Sequence, residues 1–187
     1  MNKQDNFLVN FSLKGYSSIQ IGLYLLIAAY VIKSMLDGFL IDDNPMGMMS
    51  AQIIEVLGFV VIFLTFFFSS LALFFKGRRK AKKQNYLLWN SKTKKRFWLY
   101  LLNFSILFFV LVFLSNTSYT NYITPTFLLI YGLFLSLLEK KKDKTLYVLS
   151  GVTFLLAILV FFIPNYWYSS IYILGVAHIT YGIVVKE

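Results

Sequence analysis

The sequence predicts an all-α fold class: a polytopic integral membrane protein, built as a six-transmembrane-helix bundle with both termini in the cytoplasm (N-in/C-in). Three observations indicate this. Six long apolar runs fill the chain. Nearly all of its Lys and Arg residues lie in the connecting and terminal segments on one side of these runs. Its 187 residues are 58% hydrophobic and only 14% charged. A soluble domain is roughly 45–50% apolar and about 25% charged. Lipid is therefore expected to be the solvent for the excess apolar surface.

The six runs have the length of membrane spans, because a bilayer core about 30 Å thick needs roughly 20 apolar residues as helix. They are apolar throughout and do not alternate, which excludes the strands of a membrane barrel. A single membrane domain over residues 1–187 is predicted, with no room for a second globular domain. The predicted spans are residues 18–41, 51–75, 97–115, 123–138, 145–163 and 169–185.

The first three spans each have a distinguishing feature. The first is too long for the core of a signal peptide and lacks a small-residue cleavage site after it, so it is expected to stay in the protein. The second and third are rich in Phe. Trp98 and Tyr100 open the third span, where their amphipathic rings suit the membrane–water interface.

None of the last three spans is longer than the third. The fourth is the shortest of the six, and the fifth opens on Leu-Tyr-Val-Leu at 146–149. This segment resembles Leu-Tyr-Leu-Leu at 99–102. The similarity fits a weak internal repeat of two hairpins, but chance is the alternative in a chain this rich in Leu, Phe and Tyr. The sixth is preceded by the aromatic residues Tyr166, Trp167 and Tyr168, which are expected to lie at the outer interface.

The basic residues orient the bundle. Seventeen of the eighteen Lys and Arg residues lie before the first span, after the last one, or in the segments that follow spans two and four. The loops at 42–50, 116–122 and 164–168 contain none. The positive-inside rule therefore places both termini and the basic loop 76–96 in the cytoplasm. The heavy use of Phe, Ile, Lys, Asn and Tyr is typical of an AT-rich genome and favours the cytoplasmic membrane of a bacterium.

The basic loop 76–96 is expected to lie on the inner headgroup surface. Its middle is apolar and separates two cationic clusters, and each cation near anionic lipid contributes about 1 kcal/mol. Nucleic acid is not expected as a partner, because the topology already accounts for the charge. The residues predicted to contact lipid headgroups are Arg78, Arg79, Lys80, Lys82, Lys83, Trp89, Lys94, Lys95 and Arg96.

Three ionisable residues lie near the outer ends of the first two spans. Lys33 and Asp37 are four residues apart and share a helix face, and Glu55 lies about one turn into the second span. Because ionisable groups within spans are costly, they are by default candidates for a functional site. One interpretation is a polar vestibule for an ion or small solute. The other is mutual neutralisation, in which Lys33 extends towards water and pairs with the two carboxylates.

His178 is the single histidine and lies near the middle of the sixth span. Gly175 and Gly182 lie on the same stripe of the helix, at positions that allow another helix to approach closely. His178 is therefore expected to face the interior. It could relay protons, or it could simply hydrogen-bond across a helix interface.

An enzymatic function is not expected. The chain contains no cysteine, which excludes thiol nucleophiles and thiolate metal sites. Ser150 and His178 resemble the catalytic pair of rhomboid-type intramembrane proteases, but the Gly-x-Ser-Gly motif is absent, since residue 148 is Val. No metal site or cofactor is predicted.

Two functions fit these observations. The working hypothesis is a module that binds or transports a small solute or ion through the polar residues Lys33, Asp37, Glu55 and His178. The alternative is a non-catalytic scaffold, sensor or assembly subunit, acting through a homo-oligomer or a membrane protein partner. The Phe-rich faces of the second and third spans favour the alternative, because they could pack on other helices as easily as on lipid.

Overall fold

The computed structural model describes residues 11–39, 49–117, 119–138 and 145–185, which form six α-helices. Short 3-10 turns, Thr120–Tyr122 and Pro164–Tyr166, precede the fourth and sixth helices. The predicted all-α class is thus confirmed for these parts of the chain. The helices are α1 Tyr16–Phe39, α2 Ala51–Lys83, α3 Ser91–Ser115, α4 Ile123–Leu138, α5 Thr145–Phe162 and α6 Trp167–Val184.

Five of the described helices are long and apolar enough to cross a membrane: α1, α2, α3, α5, and α4 together with the 3-10 turn before it. α6 has 18 residues, as many as α5, but it contains His178 and several Tyr, Ser and Thr side chains and is less apolar. These properties fit the predicted class, a multi-pass helical membrane protein.

The basic segment 76–96, predicted as a loop, is largely helical. α2 continues to Lys83 and α3 begins at Ser91, so that only residues 84–90 connect them. Lys, Arg and Ala are good helix formers, and cations in the last turn of α2 interact favourably with its carboxyl end. With 33 residues, α2 is about 50 Å long, which exceeds a hydrocarbon core about 30 Å thick by roughly 20 Å.

Specific contacts end α2 and start α3. Asn85 adopts a left-handed backbone conformation with φ of 54°, and the amide of Tyr86 donates to the carbonyl of Ala81 at 2.9 Å. The side chain of Asn90 then caps α3 by accepting a hydrogen bond from the amide of Thr93 at 2.7 Å. An Asn at this position satisfies one of the otherwise unpaired amides of the first turn.

α1 and α6 lie antiparallel with their backbones in direct contact. A Cβ atom added to Gly22 would lie 2.5 Å from the carbonyl oxygen of Gly175, and one added to Gly182 would lie 2.7 Å from that of Gly15. At the end of this interface the amide of Gly15 donates to the carbonyl of Val185 at 3.0 Å. Glycine therefore makes the close approach possible, as the small-residue stripe of the sixth span predicts.

The core lies among α1, α4, α5 and α6, where α4 packs against α5 and α6 packs against α1 and α5. Leu128, Leu135, Val160 and Leu174 are fully buried there. α2 contacts α1, and α3 contacts α4, but few residues of α2 and α3 are buried. Phe rings bridge α2 and α3, for example Phe66 and Phe104 with centroids 4.8 Å apart. The α2–α3 hairpin thus stands beside the core, and space remains between the two.

Candidate functional site

The three ionisable residues of the predicted vestibule do not meet in one cluster. The ammonium of Lys33 lies 2.6 Å from a carboxylate oxygen of Asp37, and their side chains are 43% and 58% exposed. The Lys33 ammonium also lies 5.6 Å from the centre of the Tyr168 ring, in a cation–π arrangement. Lys33 therefore has a carboxylate on its own helix and an aromatic ring at the start of α6.

Glu55 has a different partner. Its carboxylate accepts a hydrogen bond from the hydroxyl of Ser115 at the end of α3, and no ion pair among the described residues joins Glu55 to Lys33. Glu55 and Ser115 line a cavity of about 320 Å³ between the carboxyl ends of α1 and α3 and the amino end of α2. The expectation that Lys33, Asp37 and Glu55 could meet is therefore not met, because Lys33 is satisfied locally and Glu55 points towards α3.

His178 is fully buried and joins three helices. The Oγ atom of Ser18 in α1 lies 3.1 Å from its Nδ1 atom, and the hydroxyl of Tyr131 in α4 lies 2.8 Å from its Nε2 atom. The Ser18 hydroxyl also donates to the backbone carbonyl of His178 at 2.8 Å. The residue faces the interior, as expected from the sequence, and its hydrogen bonds join α6 to α1 and α4, which is one of the two roles considered there.

The bonds of Ser18 determine the position of the imidazole proton. A serine hydroxyl carries one proton, and that of Ser18 is used on the His178 carbonyl. Its oxygen must therefore accept from Nδ1–H. A neutral imidazole then offers Nε2 as an acceptor, so the Tyr131 hydroxyl donates to it.

Ser150 does not interact with His178. Its hydroxyl donates to the carbonyl of Gly132 in α4 at 2.7 Å, while both ring nitrogens of His178 are used by Ser18 and Tyr131. The serine–histidine pair considered from the sequence is therefore not formed in the structure.

A cavity of about 140 Å³ lies between α1, α2, α3 and α4, and we call it the four-helix cavity. One face of each helix contributes to it, at positions three and four residues apart. Most of its surface is apolar, for example Ile21, Leu25 and Phe134. It lies towards the basic end of the bundle, where Trp89 is part of its wall. The polar residues that line it are Thr65, Ser69, Ser70, Arg96, Tyr100, Asn103 and Tyr131.

The cavity adjoins the His178 network through Tyr131, which lines the cavity and bonds to the imidazole. This role of Tyr131 was not predicted from the sequence, and neither were those of Ser18, Tyr100 and Asn103. The available signal was the spacing of polar residues: Tyr100 and Asn103 are three residues apart and share a face of α3. Their identity alone could not show that this face meets α4 across an open space.

The basic residues predicted to contact headgroups lie at one end of the bundle. Arg78, Arg79, Lys82 and Lys83 are exposed on the last two turns of α2, and Lys80 is half-buried there. Lys94 and Lys95 are exposed on the first turns of α3, whereas Arg96 donates to the carbonyl of Leu138 at 2.8 Å. Trp89 packs against Phe97 and Phe11 instead of standing free.

Comparison of the chain with protein-family models, with curated proteins and with solved structures finds no match.

Proposed function

We propose that the chain is a six-span protein of a bacterial cytoplasmic membrane, with both termini in the cytoplasm, and that it binds a small apolar molecule in the four-helix cavity without catalysing a reaction. Binding of a small molecule follows the working hypothesis from the sequence, but the site is moved from the outer ionisable residues to the opposite end of the bundle. The observation that carries the proposal is the cavity itself, walled by four helices and mostly apolar.

The packing of α6 supports a sixth span. α6 runs beside α1 from Gly175 to Gly182, with backbone contacts at Gly22 and Gly15. If α1 crosses the bilayer, a helix held against it over this length lies at the same depth. Its most polar group, the His178 imidazole, is buried and hydrogen-bonded, so its polarity is not exposed to lipid.

The proposed orientation can be tested with single cysteines, because the chain has none of its own. Gln84 lies at the basic end of the bundle and Asn165 at the opposite end, and both are exposed. In intact cells, a membrane-impermeant maleimide is expected to label Asn165→Cys but not Gln84→Cys. Labelling of Gln84→Cys should require permeabilised cells. Labelling of Gln84→Cys from outside would contradict the orientation.

The size of the four-helix cavity indicates the size of the bound group. An apolar cavity of about 150 Å³ lined by Leu, Ile and Phe holds benzene in water-soluble proteins. The four-helix cavity is therefore expected to accept an aromatic ring or a branched hydrocarbon segment of similar size. Such molecules concentrate in the bilayer.

Bromobenzene is a suitable probe of this binding, because bromine quenches tryptophan fluorescence on contact and Trp89 lines the cavity. In a variant that keeps Trp89 as its single tryptophan (Trp98→Phe with Trp167→Phe), bromobenzene is expected to quench saturably in detergent. Adding Ser69→Leu fills the cavity and should reduce the quenching to the level of nonspecific partition into the micelle. Equal quenching with and without Ser69→Leu would refute binding in the cavity.

Anionic lipid is the second proposed partner. The basic end of α2 extends beyond the hydrocarbon core, so its cations would lie at or just beyond the headgroups of the inner leaflet. This supports the predicted contact between the headgroups and the cationic residues of α2 and α3, and it accounts for the charge without nucleic acid.

The alternative, a scaffold or assembly subunit, is supported by the exposed Phe side chains of α2 and α3. Phe63, Phe67, Phe68, Phe109 and Phe113 are each at least 47% exposed. A second copy or another membrane protein could cover this face. The mass of the purified particle, measured by light scattering with the detergent subtracted, separates a monomer from a complex.

A further inference from the structure

The hydroxyl groups that line the four-helix cavity have already used their protons. Thr65 donates to the carbonyl of Val61 at 2.8 Å, and Ser69 donates to the carbonyl of Thr65 at 2.7 Å. Such bonds to the preceding helical turn are a common way to satisfy Ser and Thr within a span. These two oxygens can therefore accept hydrogen bonds, but they have no proton left to offer a ligand.

The two tyrosines that line the cavity have also used their hydroxyl protons in hydrogen bonds. Ser70 donates its proton to the carbonyl of Phe66 at 2.7 Å, so in its 2.6 Å contact with Tyr100 the tyrosine must be the donor. Tyr131 donates to Nε2 of His178, as the bonds of Ser18 require. Each phenolic oxygen thus presents only lone pairs to any further partner.

Asn103 differs from these residues, because its side-chain amide forms no hydrogen bond within the described parts of the chain. It lies one turn after Tyr100 on the face of α3 that lines the cavity. The amide has two N–H donors and one acceptor. In an apolar cavity within the bilayer, an unpaired amide is costly, and a ligand with both a donor and an acceptor would satisfy it.

From this distribution of protons we infer that the four-helix cavity binds an apolar molecule that carries a hydroxyl group, such as a phenol or a branched alcohol. The ligand's O–H donates to a tyrosine oxygen or to the amide oxygen of Asn103, and its oxygen accepts from the Asn103 N–H. The inference rests on the proposed function and specifies its ligand class.

The His178 network would strengthen such recognition. A ligand hydroxyl that donates to Tyr131 extends the series Tyr131–His178–Ser18, in which every bond runs in the same direction. Hydrogen bonds in series polarise one another in a medium of low dielectric constant. The lone pair of Tyr131 is therefore a better acceptor than that of an isolated tyrosine.

The test compares 4-bromophenol with bromobenzene, which differ only in the hydroxyl group. Quenching is measured in the variant with Trp89 as the single tryptophan. We expect 4-bromophenol to bind about tenfold more tightly than bromobenzene, after correction for partition into the micelle, because one or two net hydrogen bonds are gained. Asn103→Leu should reduce this preference, because the hydrogen bond from the Asn103 N–H to the ligand oxygen is lost, and it should leave bromobenzene binding nearly unchanged.

Ser69→Leu should abolish saturable quenching by both compounds. Equal affinity of the two probes in the parent variant would overturn the inference and leave binding in the cavity intact. A preference that survives Asn103→Leu unchanged would also overturn it. If neither probe shows saturable quenching, both the inference and the proposed function fail.

Discussion

Replacing Gly22 by alanine is expected to lower the stability of the protein by about 1–3 kcal/mol, the usual cost of overpacking. The added Cβ would lie 2.5 Å from the carbonyl oxygen of Gly175 and 2.8 Å from a side-chain carbon of Ile179. Backbone cannot move aside as a flexible side chain can, so α1 and α6 must separate. Reversible unfolding in mixed micelles with a denaturing detergent measures the loss.

Gly58 and Gly151 provide matched controls within α2 and α5. A Cβ at either position would meet nothing within 4 Å, and alanine is a better helix former than glycine. Gly58→Ala and Gly151→Ala are therefore expected to keep or slightly raise the stability. If Gly22→Ala is as stable against unfolding as these two controls, the backbones of α1 and α6 do not approach as closely as the structure shows.

Replacing His178 by alanine is expected to cost roughly 2–5 kcal/mol. The change removes a buried ring and leaves the hydroxyl of Tyr131 without its acceptor and the oxygen of Ser18 without its donor. An average interhelical hydrogen bond in a membrane contributes only about 0.6 kcal/mol. The void left by the imidazole and the two unpaired hydroxyl groups raise the expected loss of stability above that average.

A graded series separates the contributions. Tyr131→Phe removes one hydrogen bond and leaves Nε2 of His178 unpaired, so a loss of about 1–3 kcal/mol is expected. Tyr172→Phe is the control on α6, because Tyr172 is 45% exposed, and its effect should be small. If His178→Ala and Tyr172→Phe have equal effects on the unfolding midpoint, the buried network does not stabilise the bundle.

Much of the architecture could be predicted from hydropathy and charge. The apolar runs correspond to helices, since a backbone in lipid must satisfy its own hydrogen bonds, and the stripe of Gly175, His178 and Gly182 correctly indicated a buried face of α6. The segment 76–96 was harder, because a run of Lys and Arg fits a solvated loop and a protruding helix equally well.

The candidate site was less predictable, because it depends on which helix faces meet. Lys33 and Glu55 stand out in the sequence as charged residues, yet each has a nearby partner, on its own helix for Lys33 and on the next helix for Glu55. The residues that line the four-helix cavity are uncharged, and residues such as Asn103 and Tyr131 look ordinary in the sequence. Their importance comes from the gap between α2–α3 and the core, which no local pattern encodes.

The order of protons around His178 has a consequence for charge movement through the bundle. A conduit for protons needs an exit, where the last member releases its proton to water or to another base. Here the last donor, Ser18, points at a peptide oxygen of His178 itself, and an amide carbonyl is too weak a base to carry the proton onward. In this arrangement the series ends at a backbone carbonyl, and its hydrogen bonds hold α1, α4 and α6 together.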